Sequence, residues 1–256
     1  MTILFSDIRG FTSFSEKLSP EELVRMMNEY FTLMSNNIMD HKGLVDKYIG
    51  DAIMAFWGAP VPNESQAGDA CMAALVMSAN LKNLNTKWKE LGVPSIGIGI
   101  GLNTGEVIVG NMGSEKRFNY TIMGDEVNFG SRLEGLNKTY GTQCIISEET
   151  WNAVKNDTRF IIRELDNVMV KGKKQPKLIF ELITTSEIKE LEQILSLFSQ
   201  GRMEYTKGNF KQAAGIFEQI LKIYPDGPSQ TFLERCLYLI EHAPLEWNGI
   251  YEFETK

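Results

Sequence analysis

The chain has 256 residues, 43% hydrophobic and 23% charged, with a net charge of −7. That length allows one large domain, or a domain of roughly 180 residues with a smaller appendage, and the composition is that of a globular protein. The acidic balance argues against a nucleic-acid surface, which carries a basic excess, so an anionic substrate would have to be held by a few placed cations or by metal.

Cys71, Cys144 and Cys236 are scattered, so they suggest neither a disulfide framework nor a CxxC site, and a reducing, cytoplasmic setting is expected. With His41 and His242 the only histidines, a histidine-rich zinc site is nearly excluded. No apolar run approaches the roughly 18 residues needed to span a bilayer, and no signal peptide is visible. The chain opens at "MTILFSD" straight into a strand. This abrupt start raises the expectation of a fragment cut from a longer protein.

In chain order, residues 2–6 read as a short apolar strand ending at Asp7, followed by a turn, "IRGFTS". A helix is then expected, with Ser19 as N-cap, Pro20 first inside, Glu22 completing a capping box and Gly43 as its stop. Leu23, Met27, Tyr30, Met34 and Ile38 recur at helical spacing and form a core stripe. "VDKYIGDAIMAF" is a strand near 44–48, a turn at Ile49-Gly50-Asp51 and a strand through Phe56. Lysine and aspartates among such apolar residues are costly unless they hold something.

A helix follows over 66–91, then two strands around an Asn-Thr-Gly turn in "SIGIGIGLNTGEVIVGNMG". The Ile/Gly alternation there leaves one face bare for close packing. "YTIMGDEVNFGSRLEGLNKTYG" passes from strand to helix at Gly124-Asp125, with Asp125 as N-cap and Gly141 as C-cap. A strand at 143–146, a helix capped by Ser147, and strands near 160–170 and 177–183 joined by "KGKKQP" complete this part. The order implies an α+β fold, a mainly antiparallel sheet covered by helices. Residues 1–184 form this domain, and 185–256 read as a small all-α C-terminal extension. Within the extension, Gly201, Ala213, Phe217 and Pro225 fall at the spacing of one tetratricopeptide-like repeat. The expected form is a helical hairpin packed on the larger domain, with dimer support or partner recognition as alternatives.

Asp7 at a strand end and Asp51 at a hairpin tip can meet at one sheet edge and hold Mg²⁺ or Mn²⁺, or each can merely cap a turn. Backbone N–H groups near Gly10, Phe11 and Thr12 can cradle phosphate, as can many turns. Asn128 and Arg132, four apart on one helix face, suit a sugar and a phosphate. The plainer alternative is a solvated pair, with Arg132 bonded to Glu126 or Glu134. The basic "VKGKKQP" reads either as a solvated hairpin tip or as a phosphate clamp.

Taken together, "FSDIRGFTSFSEKLSPEELVRMMNEYF", "DKYIGDAIMAFWGAP", "GIGLNTGEVIVGNMGSEKRFNYTIMGDEVNFGSRLE" and "VKGKKQP" resemble, in register and order, the class III nucleotide cyclase catalytic domain of the bacterial adenylate cyclase type. The resemblance covers residues 1–184 and implies a ferredoxin-like core. It implies that Asp7, Asp51 and the Ile8 carbonyl hold two Mg²⁺ or Mn²⁺ ions, and that Lys47 and Thr121 read the purine. It further implies that Asn128 orients the ribose, that Arg132 stabilises the transition state, and that Lys171 (with Lys173 second) binds the triphosphate, with a further basic residue at Lys116 or Arg117. Lys with Asp or Thr goes with adenine in this family, whereas guanylate cyclases carry Glu and Cys; Thr121 resembles the bicarbonate-responsive subgroup. The implied function is conversion of ATP to 3′,5′-cyclic AMP and pyrophosphate at composite sites of a head-to-tail homodimer. A guanylate or dual-specificity cyclase and a catalytically silent nucleotide-binding domain are the alternatives. Sensor domains and membrane helices often precede such catalytic domains, so the resemblance implies a cytoplasmic catalytic region of a longer, membrane-anchored protein with a sensor or membrane segment ahead of it.

Overall fold

The computed structural model describes residues 1–169, 175–184, 189–242, 244 and 246–251. Its main sheet has seven strands in the order β2-β3-β1-β4-β7-β9-β8. They are β1 (Thr2–Ile8), β2 (Leu44–Ile49), β3 (Ala52–Trp57), β4 (Ile98–Thr104), β7 (Cys144–Ser147), β8 (Ile162–Val168) and β9 (Lys177–Leu182). All neighbours are antiparallel except β4 and β7. Strands β5 (Ile108–Ser114) and β6 (Arg117–Met123) form a separate two-stranded ribbon.

Side-chain alternation sorts the sheet into two faces. Leu4, Ile8, Ile100, Cys144, Ile146 and Phe180 belong to one core, under α2 (Pro20–Asp40), α3 (Gln66–Glu90) and α5 (Glu148–Val154). Ile145, Leu165 and Ile179 face the other way, against α4 (Asp125–Tyr140) and the C-terminal helices. Ile122 of the ribbon packs with Ile3, Met54 and Phe56.

Local chemistry explains these elements. Ser19 Oγ accepts from the Glu22 N–H at 3.2 Å and Glu22 Oε2 accepts from the Ser19 N–H at 3.0 Å, the full capping box of α2. Such a cap contributes about 1 kcal/mol. At Gly43 a side chain would collide with Ile38 and Trp57, each 2.6 Å from its Cβ position, so glycine lets the chain turn tightly into β2. Gly99 and Gly101 leave the bare stripe read from the sequence, and α4 fills it. A Cβ at Gly101 would strike the Glu134 backbone nitrogen and the Gly130 carbonyl.

Four details differ from the sequence reading. "IRGFTS" does not end as a turn but enters a short helix, α1 (Phe11–Ser15), at Gly10. The strands around Asn103-Thr104-Gly105 are not a hairpin: β4 joins the main sheet between β1 and β7, while β5 pairs with β6. The cap of α4 is Gly124, with no side-chain hydrogen bond, and Asp125 is the first helical residue. Residues 189–242 hold three helices rather than a hairpin: α6 (Leu191–Thr206), α7 (Phe210–Ile223) and α8 (Gly227–Glu241).

These helices share a continuous core with the sheet, in which Phe198, Tyr205, Phe217 and Phe232 meet Phe129, Leu133 and Leu165. Gly201 admits the Phe217 ring, which stands 2.8 Å from its Cβ position. A wholly buried Asp166 accepts from Arg202 Nη1 and Arg235 Nη1, both at 2.6 Å, and from the Tyr140 hydroxyl at 2.5 Å. Charges that deep are tolerated only when fully paired. Trp247 returns to donate to the Tyr205 carbonyl at 3.0 Å. Among the described residues no helix is long and apolar enough to cross a membrane.

Candidate active site

Asp7 is the penultimate residue of β1, and Asp51 follows Gly50 at the β2–β3 tip. Gly50 has φ +65°, the left-handed conformation that tight turn requires. Because β1 and β3 are neighbours, with Ser6 opposite Ile53, the two carboxyls come together. The Asp51 carboxyl is pushed up to about 6 by burial, then by a hydrogen bond to Asp7 and by its charge. N–H groups of Asp51 and Ile8 act in the opposite sense. Ile8, buried, donates its own N–H to Asp7 Oδ1 at 3.0 Å.

The pair is two hard oxygen donors whose mutual repulsion a divalent cation would relieve. Among the described residues no group of three or more His, Cys, Asp or Glu converges in metal-binding fashion. Two carboxylates alone fit Mg²⁺ or Mn²⁺, ions that keep other positions for water and phosphate oxygens.

Gly10 has φ +66° and turns the chain so that the Phe11 and Thr12 amides open α1, where first-turn N–H groups lack intrahelical acceptors. Arg9, just before, stands 3.3 Å from Glu134 of α4. The Glu134 carboxyl is raised to about 7 by burial, against the pull of Arg9 and with the charges of Asp7 and Asp51 adding to the rise. Neither Arg9 nor Glu134 stood out as a functional residue in the sequence, where Glu134 figured only as an alternative partner of Arg132.

On the opposite edge strand, Lys47 Nζ donates to Thr121 Oγ1 of the ribbon at 3.1 Å. The structure thus joins the two residues singled out as a purine-reading pair, 74 positions apart in sequence. Thr121 Oγ1 in turn donates to Asp46 Oδ2 at 2.5 Å. Asp46 was visible as a charge in an apolar strand, but a two-residue period sends it to the face away from Lys47, and the bulge that turns it toward Thr121 is not legible in the sequence.

Asn128 and Arg132 lie on the exposed side of α4. Arg132 has no hydrogen bond or ion pair among the described residues; of the two partners considered for it, Glu134 pairs with Arg9 and Glu126 accepts from Asn103. Among the described residues no hydrogen bond or ion pair joins Asn128 or Arg132 to the Asp7–Asp51 pair or the Lys47–Thr121 pair. Lys116 and Arg117 occupy the exposed far end of the β5–β6 ribbon. Lys171 and Lys173 lie outside the described residues. The cavity of about 550 Å³ between α3 and the start of β4, lined by Ser78, Lys82, Asn85 and Gln143, includes none of these groups.

A family profile described as "Adenylate and Guanylate cyclase catalytic domain" matches residues 1–183. The chain is 38% identical over 183 residues to Adenylate cyclase 1 of Rhizobium meliloti, covering 72% of this chain but only 27% of that longer protein. It is similar to the crystal structure of the adenylyl cyclase CyaB from P. aeruginosa, with TM-score 0.67 and 34% identity over 73% of this chain and 94% of that one. The guanylyl cyclase Cya2 is also similar, with TM-score 0.66 and 39% identity over 73% of this chain and 93% of that one.

Proposed function

Because the chain belongs to the adenylate and guanylate cyclase catalytic domain family, we propose that it converts ATP to 3′,5′-cyclic AMP and pyrophosphate. The observation that supports this reading is the Lys47–Thr121 hydrogen bond, which brings together the two residues proposed to read the purine. In the reaction the ribose 3′-oxygen forms a bond to the α-phosphorus, the bond from that phosphorus to pyrophosphate breaks, and the hydroxyl proton is released.

Asp7, Asp51 and the Ile8 carbonyl would hold two Mg²⁺ or Mn²⁺ ions, whose chemistry there is to neutralise the phosphates and acidify the attacking hydroxyl. The amides of Gly10, Phe11 and Thr12 receive phosphate oxygens. Asn128 orients the ribose. Arg132, unpaired and exposed, supplies a charge-assisted donor where negative charge builds, a contribution of about 3–4 kcal/mol for such preorganised groups. Lys171 adds a cation to the triphosphate.

The working unit in this reading is a head-to-tail homodimer. Among the described residues no hydrogen bond or ion pair links Arg132 or Asn128 to Asp7 or Asp51 of the same chain, which supports a site that draws on both subunits. Exposed apolar groups on the elements that would meet support this: Tyr48 and Ile49 at the hairpin, Ile108, Phe118 and Met123 on the ribbon. GTP is the second reading, favoured by the likeness to Cya2. The test is incubation with ATP or GTP and Mg²⁺ or Mn²⁺, with detection of cyclic product and pyrophosphate. Cyclic AMP from ATP is expected; absence of product from either nucleotide in a confirmed dimer would refute the enzyme reading.

A further inference from the structure

Two consecutive residues of β2, Asp46 and Lys47, both reach Thr121. A regular strand would send them to opposite faces. Here the register shifts, with Val45 opposite Ala55 and Lys47 opposite Met54. Asp46 is therefore the extra residue of a β-bulge, an irregularity that re-aims a side chain. Its side chain has no exposed surface, and its Oδ1 lies 3.2 Å from Lys47 Nζ in an ion pair. That ion pair lacks hydrogen-bond geometry; Oδ2 receives the Thr121 proton at 2.5 Å.

A hydroxyl carries one proton and two lone pairs. Asp46, an acceptor, takes the proton of Thr121, and an N–H of Lys47 occupies one lone pair. What Thr121 can still offer a ligand is a lone pair. Lys47, with three N–H groups, has donors to spare. The pair therefore displays a donor beside an acceptor. Adenine is its complement, with an acceptor at N1 beside a 6-amino donor. Guanine presents the reverse, N1–H beside the O6 acceptor.

Resting on the cyclase reading above, we propose that Asp46 is a specificity-determining positioning residue: by holding the Thr121 proton, it makes the base site an acceptor at the purine 6-position and so selects ATP over GTP. Asp46 touches no substrate atom and acts through Thr121. Removing it frees the hydroxyl to rotate and donate to O6, which erases the distinction.

The experiment compares kcat/KM for ATP and GTP in the wild-type dimer, Asp46→Leu and Asp46→Ala. The expected result is a fall in the ATP:GTP ratio of at least about ten-fold, the scale set by leaving a site's polar group without its complement. Thr121→Ser keeps the ratio, and in a Thr121→Val background Asp46 substitutions change it no further. A parallel loss with both nucleotides, leaving the ratio within two-fold, would show a merely structural role and overturn the proposal. Should both Asp46 variants fail to fold, the wild-type protein decides with inosine triphosphate, which has the 6-oxo group but no 2-amino group. Rejection like that of GTP supports the proposal, and turnover like that of ATP overturns it. A folded wild-type dimer silent toward every nucleotide refutes the cyclase reading itself, and the proposal with it.

Discussion

Arg9 Nη1 stands 3.3 Å from Glu134 Oε1, an ion pair that ties the exit of β1 to α4. It lies in the trough left by glycines of β4, where a Cβ at Gly99 would collide with both side chains. Asp7 is two residues before Arg9, and Arg132 two before Glu134. The pair therefore braces the metal-binding candidate against the helix that carries the transition-state candidate.

Glu134 gives a pH signature. Its folded carboxyl is raised from 4.5 to about 7, chiefly by burial. A raised carboxyl favours the folded state while protonated, so this contribution is complete below about 4.5 and is lost as pH rises through about 7. Thermal unfolding without divalent ions should show Glu134→Gln gaining stability relative to wild type across that window. Parallel profiles from pH 4 to 8 would contradict the assignment.

Divalent binding should be visible without catalysis. Mn²⁺ or Mg²⁺ in excess raises the melting temperature of the wild type, because a ligand that binds only the folded state stabilises it. Asp51→Ala should lose most of that shift while keeping its fold, since Asp51 is a half-exposed turn residue. An unchanged shift would place the ion elsewhere.

Arg132→Ala should lower kcat by about 10²–10³, as loss of one preorganised donor does, with little change in KM. Its melting temperature should match wild type, because Arg132 is exposed and unpaired among the described residues. A large stability loss with kcat intact would assign Arg132 to the fold.

Asp166→Ala leaves Arg202 and Arg235 buried without their shared acceptor. Breaking one side of such a network costs about 3–5 kcal/mol. Denaturant titration should show a single transition at a much lower midpoint. A near-neutral change would mean that the C-terminal helices are not held by this cluster.

Much of this was legible in the sequence where the signal is local. The Ser19/Glu22 capping box, the Leu23–Ile38 stripe and the bare glycine face of β4 depend on neighbours within a few residues or on a simple period. What depends on distant partners was not. Ile98–Thr104 and Ile108–Ser114 have the alternation of a hairpin, yet β4 takes Cys144–Ser147 as its parallel partner and β5 turns to β6. At the site, Asp7 and Asp51 were readable from their places at a strand end and a hairpin tip, whereas Lys47 and Thr121 came from the family resemblance, and the structure pairs them two by two. Asp46, Arg9 and Glu134 escaped because a bulge and one long-range ion pair, not spacing, give them their positions. Lys171 falls outside the described residues.

The most direct measurement of the shared-site account is complementation between Asp51→Ala and Lys47→Ala chains, each inactive alone. In the mixed dimer both lesions fall in one site, and the other site is intact. Mixing equal amounts should restore about a quarter of wild-type cyclic AMP production, because half the two-fold dimers are mixed and each carries one good site. No recovery, with mixed dimers demonstrated, would contradict it.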